Sequence, residues 1–202
     1  MKDTIIEAAK VLKAGGIILY PTDTIWGLGC DATNAEAVAK IFALKRRDEA
    51  KSLVLLAADL DMIVRYVKEI PQMAIQLVEV NDAPMTIIYP DAVGIAPNAV
   101  AEDGSVGIRI PLNEDCVDLC RKLGRPVVST SANISGEPAP GKFAEIPDEI
   151  KAAVDYTVSP SLEKGSTGKA SQIIKVAVDG QIQIIRAWRW ENLRYCPHKL
   201  RI

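Results

Sequence analysis

The run Ser129-Thr130-Ser131-Ala132-Asn133 follows directly on the apolar Pro126, Val127 and Val128. A buried strand that ends this way offers short hydroxyl and amide groups at one edge of a sheet, where open α/β folds bind their ligands. A second polar cluster, Lys45, Arg46, Arg47 and Lys51, closes a helical pattern and precedes the apolar stretch from Leu53 to Ala58. Cations at this density before a buried strand suit a polyanion such as a nucleoside triphosphate. The same charges are also favoured at a solvated helix end by the macrodipole, and the spacing alone does not choose between the two.

Several familiar chemistries fit poorly. A Ser-His-Asp or Cys-His mechanism would have to recruit the single histidine, His198, from the extreme C-terminus. Gly27-x-Gly29-x-x-Ala32 matches a relaxed dinucleotide fingerprint but lies well past the expected strand end at Tyr20. Gly165-x-x-Gly168-Lys169 has neither the length of a phosphate-binding P-loop nor its following Ser or Thr. Cys196 and His198 are two ligands without a CxxC partner and make a poor zinc site, so no metal ligand is assigned to the protein. What remains is chemistry done by cations and positioning. Nucleotidyl transfer is of that kind, since the enzyme mainly aligns an anionic nucleophile with a phosphate and offsets negative charge.

The chain of 202 residues is 49% hydrophobic, enough for one globular domain with a sizeable core. With 24 basic and 26 acidic residues the net charge is −2, so any RNA contact must be a local patch. Cys30, Cys116, Cys120 and Cys196 are scattered, and the pair at helical spacing, Cys116 and Cys120, reads as small apolar packing in a reducing compartment. Asp3 and Glu7 interrupt the first apolar stripe, unlike a signal peptide, and no run reaches the length of a membrane span. A soluble, cytoplasmic protein is expected.

The elements that must carry these groups alternate. Thr4 with Glu7 reads as a capping box for a first helix that Gly15 and Gly16 end, and Ile17 to Tyr20 is a short strand. Pro21 to Asp31 reads as loop, and Thr33 with Glu36 as the cap of a second helix running to the Lys45 cluster. Leu53 to Ala58 is a strand, and Asp59 caps a helix through about Val67. Pro71 opens another helix over Gln72 to Glu79, and Met85 to Tyr89 is a strand. Pro90 to Gly104 has no clear period. Val106 to Ile110 and Pro126 to Val128 are strands around a helix from Glu114 to Leu123, with a Gly- and Pro-rich connection over Ser135 to Lys142. Phe143 to Ala153 is expected to be helical despite Pro147, and Asp179-Gly180 turns a hairpin between Gln172–Val178 and Gln181–Ile185. The prediction is an α/β fold with a twisted, mixed parallel and antiparallel open sheet, flanking helices and a concave ligand cavity. One domain spans 1–187, and 188–202 form a C-terminal tail of unassigned role.

Four segments resemble one family. Pro21-Thr22-Asp23-Thr24-Ile25-Trp26-Gly27-Leu28-Gly29 is similar to the PTDTxYGLG signature of the YrdC-type L-threonylcarbamoyladenylate synthases, the TsaC class. Lys45-x-Arg47 with Lys51 resembles its K-x-R block, Ser105 to Pro111 its TVGVRxP strand, and Ser129 to Gly136 its STSANxSG loop. The chain departs from the pattern at Trp26, where Tyr is usual, and at Asp82-Ala83-Pro84-Met85-Thr86, which keeps only Pro and Thr of PGPxT. Ala170 to Ile174 is a loose form of the family's PSTVV segment.

The resemblance implies a YrdC-like domain that converts L-threonine, bicarbonate and ATP to threonylcarbamoyl-AMP and pyrophosphate, for threonylcarbamoyladenosine modification at position 37 of tRNA. It implies Mg²⁺ held mainly through phosphates, double-stranded RNA binding, and tRNA contact that is weak or indirect, through partner proteins. It makes Lys45, Arg47 and Lys51 the candidate catalytic cations. Arg47, Lys51, Ser105, Ser131 and Arg186 become the ATP set, and Thr24, Arg109, Ser129 and Ser171 the threonine set. Asn133 shapes its own loop. Arg109 alternates with Ile108 and Ile110 and so should face the cavity, although an edge-strand surface charge is the plainer reading of it. For Thr24 that plainer reading is a turn hydroxyl. Two further readings stay open: a YrdC-fold RNA-binding or regulatory module with reduced catalysis, and a carbamoyl-handling domain like that of the hydrogenase maturation protein HypF.

Overall fold

The computed structural model describes residues 2–47 and 53–187. The predicted ligand Lys51 and the tail over 188–202 lie outside the described residues. Among the described residues a single mixed sheet holds nine strands. In chain order the strands are β1 (Ile18–Pro21), β2 (Trp26–Gly29), β3 (Val54–Leu56), β4 (Met85–Tyr89), β5 (Val106–Arg109), β6 (Val127–Ser131), β7 (Tyr156–Thr157), β8 (Gln172–Val176) and β9 (Ile182–Arg186). They lie side by side in the order β7-β1-β2-β6-β3-β5-β4-β8-β9. β1/β7, β3/β5 and β4/β8 pair in parallel and the other neighbours antiparallel, the mixed open sheet that the sequence predicts. The helices are α1 (Lys2–Lys13), α2 (Ala35–Lys45), α3 (Leu60–Val64), α4 (Gln72–Val80), α5 (Glu114–Leu123) and α6 (Asp148–Ala153). Among the described residues no helix is long and apolar enough to cross a membrane.

The central strands are buried on both faces, so neighbouring residues that point to opposite sides of the sheet are covered alike. Ile18, Leu19, Leu28, Leu55, Leu56, Val127 and Val128 are fully buried together with Leu12 of α1, Ile41 of α2 and Leu119 of α5. Burying each such aliphatic side chain contributes about 1.5–3 kcal/mol. Cys116 and Cys120 lie in this core as free thiols, and burial pushes the Cys120 thiol up to about 12.

Several local expectations are corrected. The chain from Pro21 to Asp31 is not all loop, because Trp26–Gly29 forms β2 between β1 and β6. Two glycines hide a strand from any propensity count. Here they make room: a Cβ at Gly29 would stand 2.7 Å from Tyr20 Cε1 and 3.0 Å from the Val128 carbonyl oxygen. α1 starts at Lys2, so Thr4 lies inside the helix and forms no capping box. α2 starts at Ala35 and is capped by Asn34, whose side chain accepts from the N–H groups of Glu36 and Ala37, while the Thr33 hydroxyl donates to Asp31. α3 ends at Val64, short of Val67, which makes a bridge to Ala92.

The expected helix over Phe143–Ala153 breaks at Pro147 into a single turn, Phe143–Glu145, and α6. Proline has no N–H to give and disfavours helix in the residue before it. β7 was not legible at all. β6 runs on to Ser131, so most of the polar run is strand, paired with β2 on one side and β3 on the other. The hairpin at Asp179-Gly180 joins β8 and β9 as predicted, with Gly180 at φ +83°.

Candidate active site

One face of the sheet carries a cavity of about 250 Å³. Its lining comes from strands that are distant in sequence: Gly27 of β2, Val54 of β3, Thr86 and Ile88 of β4, Gly107 and Arg109 of β5, Ser129 and Ser131 of β6, Ile173 of β8 and Arg186 of β9. On β4, β5 and β6 positions two apart recur because alternate side chains share a face. Gly107 adds no side chain to the floor, where a Cβ would stand in ordinary contact with Thr86 Cγ2 at 3.4 Å.

The turn between β1 and β2 forms one wall. The Thr22 hydroxyl donates to the Ile25 carbonyl at 2.7 Å and accepts from the N–H groups of Thr24 and Ile25. Its proton being committed, the Thr24 hydroxyl donates to Thr22 Oγ1 at 2.8 Å, and Thr24 keeps lone pairs for donors in the cavity. Arg109 Nη2 approaches them at 3.4 Å. From the other side, the Ser166 hydroxyl donates to the Thr24 carbonyl and the Thr167 N–H to the Asp23 carbonyl at 2.9 Å.

Arg109 faces opposite to the buried Ile108 and lines the cavity, as strand alternation predicts. It is not an edge charge: β5 lies between β3 and β4, and the Arg109 side chain is 3% exposed. Its charge is paired with Asp23, whose oxygens accept from Nη1 at 2.6 and 2.7 Å. Ser171 accepts or donates a bond of 2.8 Å with Thr86 across the sheet, and its carbonyl accepts from Arg186 Nε at 2.8 Å. Arg47 and Arg186 both line the cavity, and burial lowers the pKa of each from its ordinary value.

Seven of the candidate residues therefore line one cavity: Thr24, Arg47, Arg109, Ser129, Ser131, Ser171 and Arg186. Three do not. Lys45 is buried and donates to the carbonyls of Ser131 and Asn133, the latter at 2.6 Å, which makes it a brace for the loop after β6. Burial and the neighbouring Arg47 cation pull its pKa down to about 8. Asn133 bonds the carbonyls of Ile134 and Glu137 through its own amide. Ser105 shares a strand face with Gly107 and Arg109, but its hydroxyl donates to Asp103, which is itself held by Lys175 at 2.6 Å. Sequence reasoning passed over Thr22 and Thr86, whose signal was their place in the PTDT and P-x-T segments. It also passed over Asp23.

The departures at 82–86 and at 26 do not open the site. Thr86 keeps its hydroxyl on Ser171, and the Pro84 carbonyl accepts from the Gln172 N–H at 3.0 Å. Trp26 is buried, and its indole N–H donates to Glu163 at 2.8 Å. The described residues hold no cluster of His, Cys, Asp or Glu suited to a metal ion. Among the described residues the cavity lining is hydroxyls, arginines and aliphatics, with no carboxylate or imidazole for general acid-base work.

A family model for the Sua5/YciO/YrdC domain, with the description "Telomere recombination", matches residues 10–187. The chain belongs to the Sua5/YciO/YrdC family. A curated relative from Idiomarina loihiensis, named threonylcarbamoyl-AMP synthase, is 33% identical over 177 residues, which is 86% of this chain and 94% of that one. The P. abyssi Sua5 structure complexed with L-threonine matches at a TM-score of 0.76 and 28% identity, over 85% of this chain and 50% of that chain. This chain thus spans half the length of that Sua5. E. coli YciO shares the fold at a TM-score of 0.76 with 22% identity, over 92% of this chain and 89% of that one.

Proposed function

We propose that the cavity binds L-threonine and ATP, and that the chain is an L-threonylcarbamoyladenylate synthase. The observation that carries the reading is the lining itself. Among the described residues, three arginines and a set of short hydroxyls face one space with no general base beside them. Such a site aligns anions and offsets their charge, which is what adenylylation of a carbamate needs. Its relatives carry the synthase name, and P. abyssi Sua5 has been seen with L-threonine.

In this reading Arg109 pairs with the threonine carboxylate, while Thr24, Ser129 and Ser171 take its remaining polar groups. Arg47, Arg186 and Ser131, joined by Lys51, hold the triphosphate. Threonine and bicarbonate condense to a carbamate with loss of water. The carbamate oxygen attacks the α-phosphorus of ATP, the bond to the β-phosphate oxygen breaks, and pyrophosphate leaves carrying its electron pair. Arg47 and Arg186 lower the repulsion among carboxylate, bicarbonate and triphosphate, which in a site of reduced dielectric is several kcal/mol per close pair. The described lining offers a cation no carboxylates, so a Mg²⁺ would be held mainly by the nucleotide's own oxygens and would supply charge neutralisation there. The product is destined for tRNA, with contact through a local patch or through partner proteins. Solubility in the cytoplasm goes with that task.

Incubation with ATP, L-threonine and bicarbonate tests the reading. Threonine-dependent pyrophosphate and threonylcarbamoyl-AMP are the expected products. ATP binding without either product would favour a binding module that has lost catalysis.

A further inference from the structure

Asp23 stands behind Arg109, outside the cavity lining, and it borders a neighbouring recess instead. It is 6% exposed, and its carboxylate is fully engaged by this one wall of the site. Both oxygens accept from the same nitrogen, Arg109 Nη1, at 2.6 and 2.7 Å, and Oδ2 also accepts from the Leu112 N–H at 3.1 Å. With Nη1 committed, the Nη2 and Nε side of the guanidinium is what Arg109 has to offer a ligand. That side is weakly used inside the protein, by the 3.4 Å approach to Thr24.

The pairing also removes charge. A lone guanidinium in a partly dry site attracts whichever anion carries most charge, and a phosphate outbids a carboxylate. A guanidinium already neutralised by a buried carboxylate selects by hydrogen-bond geometry instead. We propose that Asp23 is a positioning and selectivity residue: it aims Arg109 and cancels its charge, so that this wall takes a monoanionic amino-acid carboxylate and refuses phosphate. The inference rests on the threonine and ATP reading of the cavity. It explains how one cavity with three arginines keeps the two anionic substrates in separate places.

The Asp23 backbone is held independently of its side chain, by the Thr167 N–H on its carbonyl, so the side chain can be changed with the turn still anchored. Asp23→Asn keeps the shape and removes the charge. Pyrophosphate release is measured while threonine, ATP and inorganic phosphate are varied in turn, with a thermal melt to check folding. The expected result is a KM for threonine raised about 10-fold or more, a KM for ATP within about 2-fold, and new inhibition by phosphate competitive with threonine. Asp23→Glu restores the charge with a longer stem, so phosphate inhibition is expected to vanish again even where the KM for threonine stays raised. In the wild-type protein phosphate leaves the KM for threonine unchanged. Competition by phosphate in the wild type overturns the inference without recourse to any variant, and so does an Asn variant that folds and remains indifferent to phosphate. A wild-type protein that neither binds threonine nor releases pyrophosphate overturns the functional reading itself and this inference with it.

Discussion

The Lys45 ammonium donates to the Asn133 main-chain carbonyl at 2.6 Å, bridging 88 positions of sequence. It also reaches the Ser131 carbonyl, so the last residue of α2 braces the strand end that carries Ser129 and Ser131 into the cavity. A cation that reads in the sequence as a substrate ligand is, in the fold, a brace under the ligands.

Lys45→Met keeps the length of the stem and leaves these carbonyls without a donor. Unfolding by urea should show a loss of about 1–3 kcal/mol at neutral pH, the cost of unsatisfied buried acceptors. The pH dependence has a definite sign. The folded pKa of Lys45 is about 8, below its ordinary 10.5, so between those values the unfolded chain binds more protons than the native one. The stability of wild type relative to Lys45→Met should therefore rise from pH 8 toward 10.5 and be flat below. A relative stability that falls over this range would contradict the burial cost assigned to the ammonium.

Arg47→Ala and Arg186→Ala should each weaken ATP binding while leaving the melting temperature within a few degrees. Each loses a charge-assisted contact to phosphate worth about 1.5–3 kcal/mol, or roughly 10- to 100-fold in Kd. Isothermal titration with ATP in the absence of threonine reads this directly. Unchanged affinity in both variants would remove the arginines from the nucleotide site.

Trp26 offers a stability test away from the cations. Its ring packs against Phe143 with centroids 5.1 Å apart, and Glu163, which receives the indole N–H, also accepts from the Phe143 N–H at 3.0 Å. Trp26→Phe removes the donor and part of the packed volume. A loss of about 1–3 kcal/mol in denaturant unfolding is expected, through the bond and the cavity left behind. A smaller loss would show that Glu163 repairs its hydrogen bonding elsewhere.

The sequence made most of this cavity legible because the residues that line it sit in short motifs at strand ends. Arg109 between Ile108 and Ile110 betrays its face by alternation alone, whereas Ser129 and Ser131 read as a polar loop after Val128 and gain their shared face only because β6 runs on to Ser131. Lys45 misled because a buried lysine and a ligand lysine look alike in sequence, and only the position of the loop carbonyls separates them. Asp23 escaped notice because a carboxylate beside a hydroxyl-rich turn reads as turn chemistry until Arg109, 86 positions away, is found against it. β2 was hidden for a different reason: Gly27 and Gly29 have low strand propensity, and the purpose of Gly29, clearance for the Tyr20 ring, exists only in three dimensions.

Arg109→Lys separates a carboxylate clamp from a structural ion pair. An ammonium can still meet Asp23, so the buried pair survives in part and the protein should fold, with at most a moderate loss of stability. What it cannot do is hold Asp23 through one nitrogen and present a second, coplanar N–H edge to a ligand. The KM for threonine should rise well over 10-fold while ATP affinity changes little, since the phosphates are assigned to other arginines. Pyrophosphate release measured against threonine concentration decides the matter. If the threonine dependence of the Lys variant matches that of wild type, the guanidinium serves only to hold Asp23, and the carboxylate of the substrate must be bound elsewhere in the cavity.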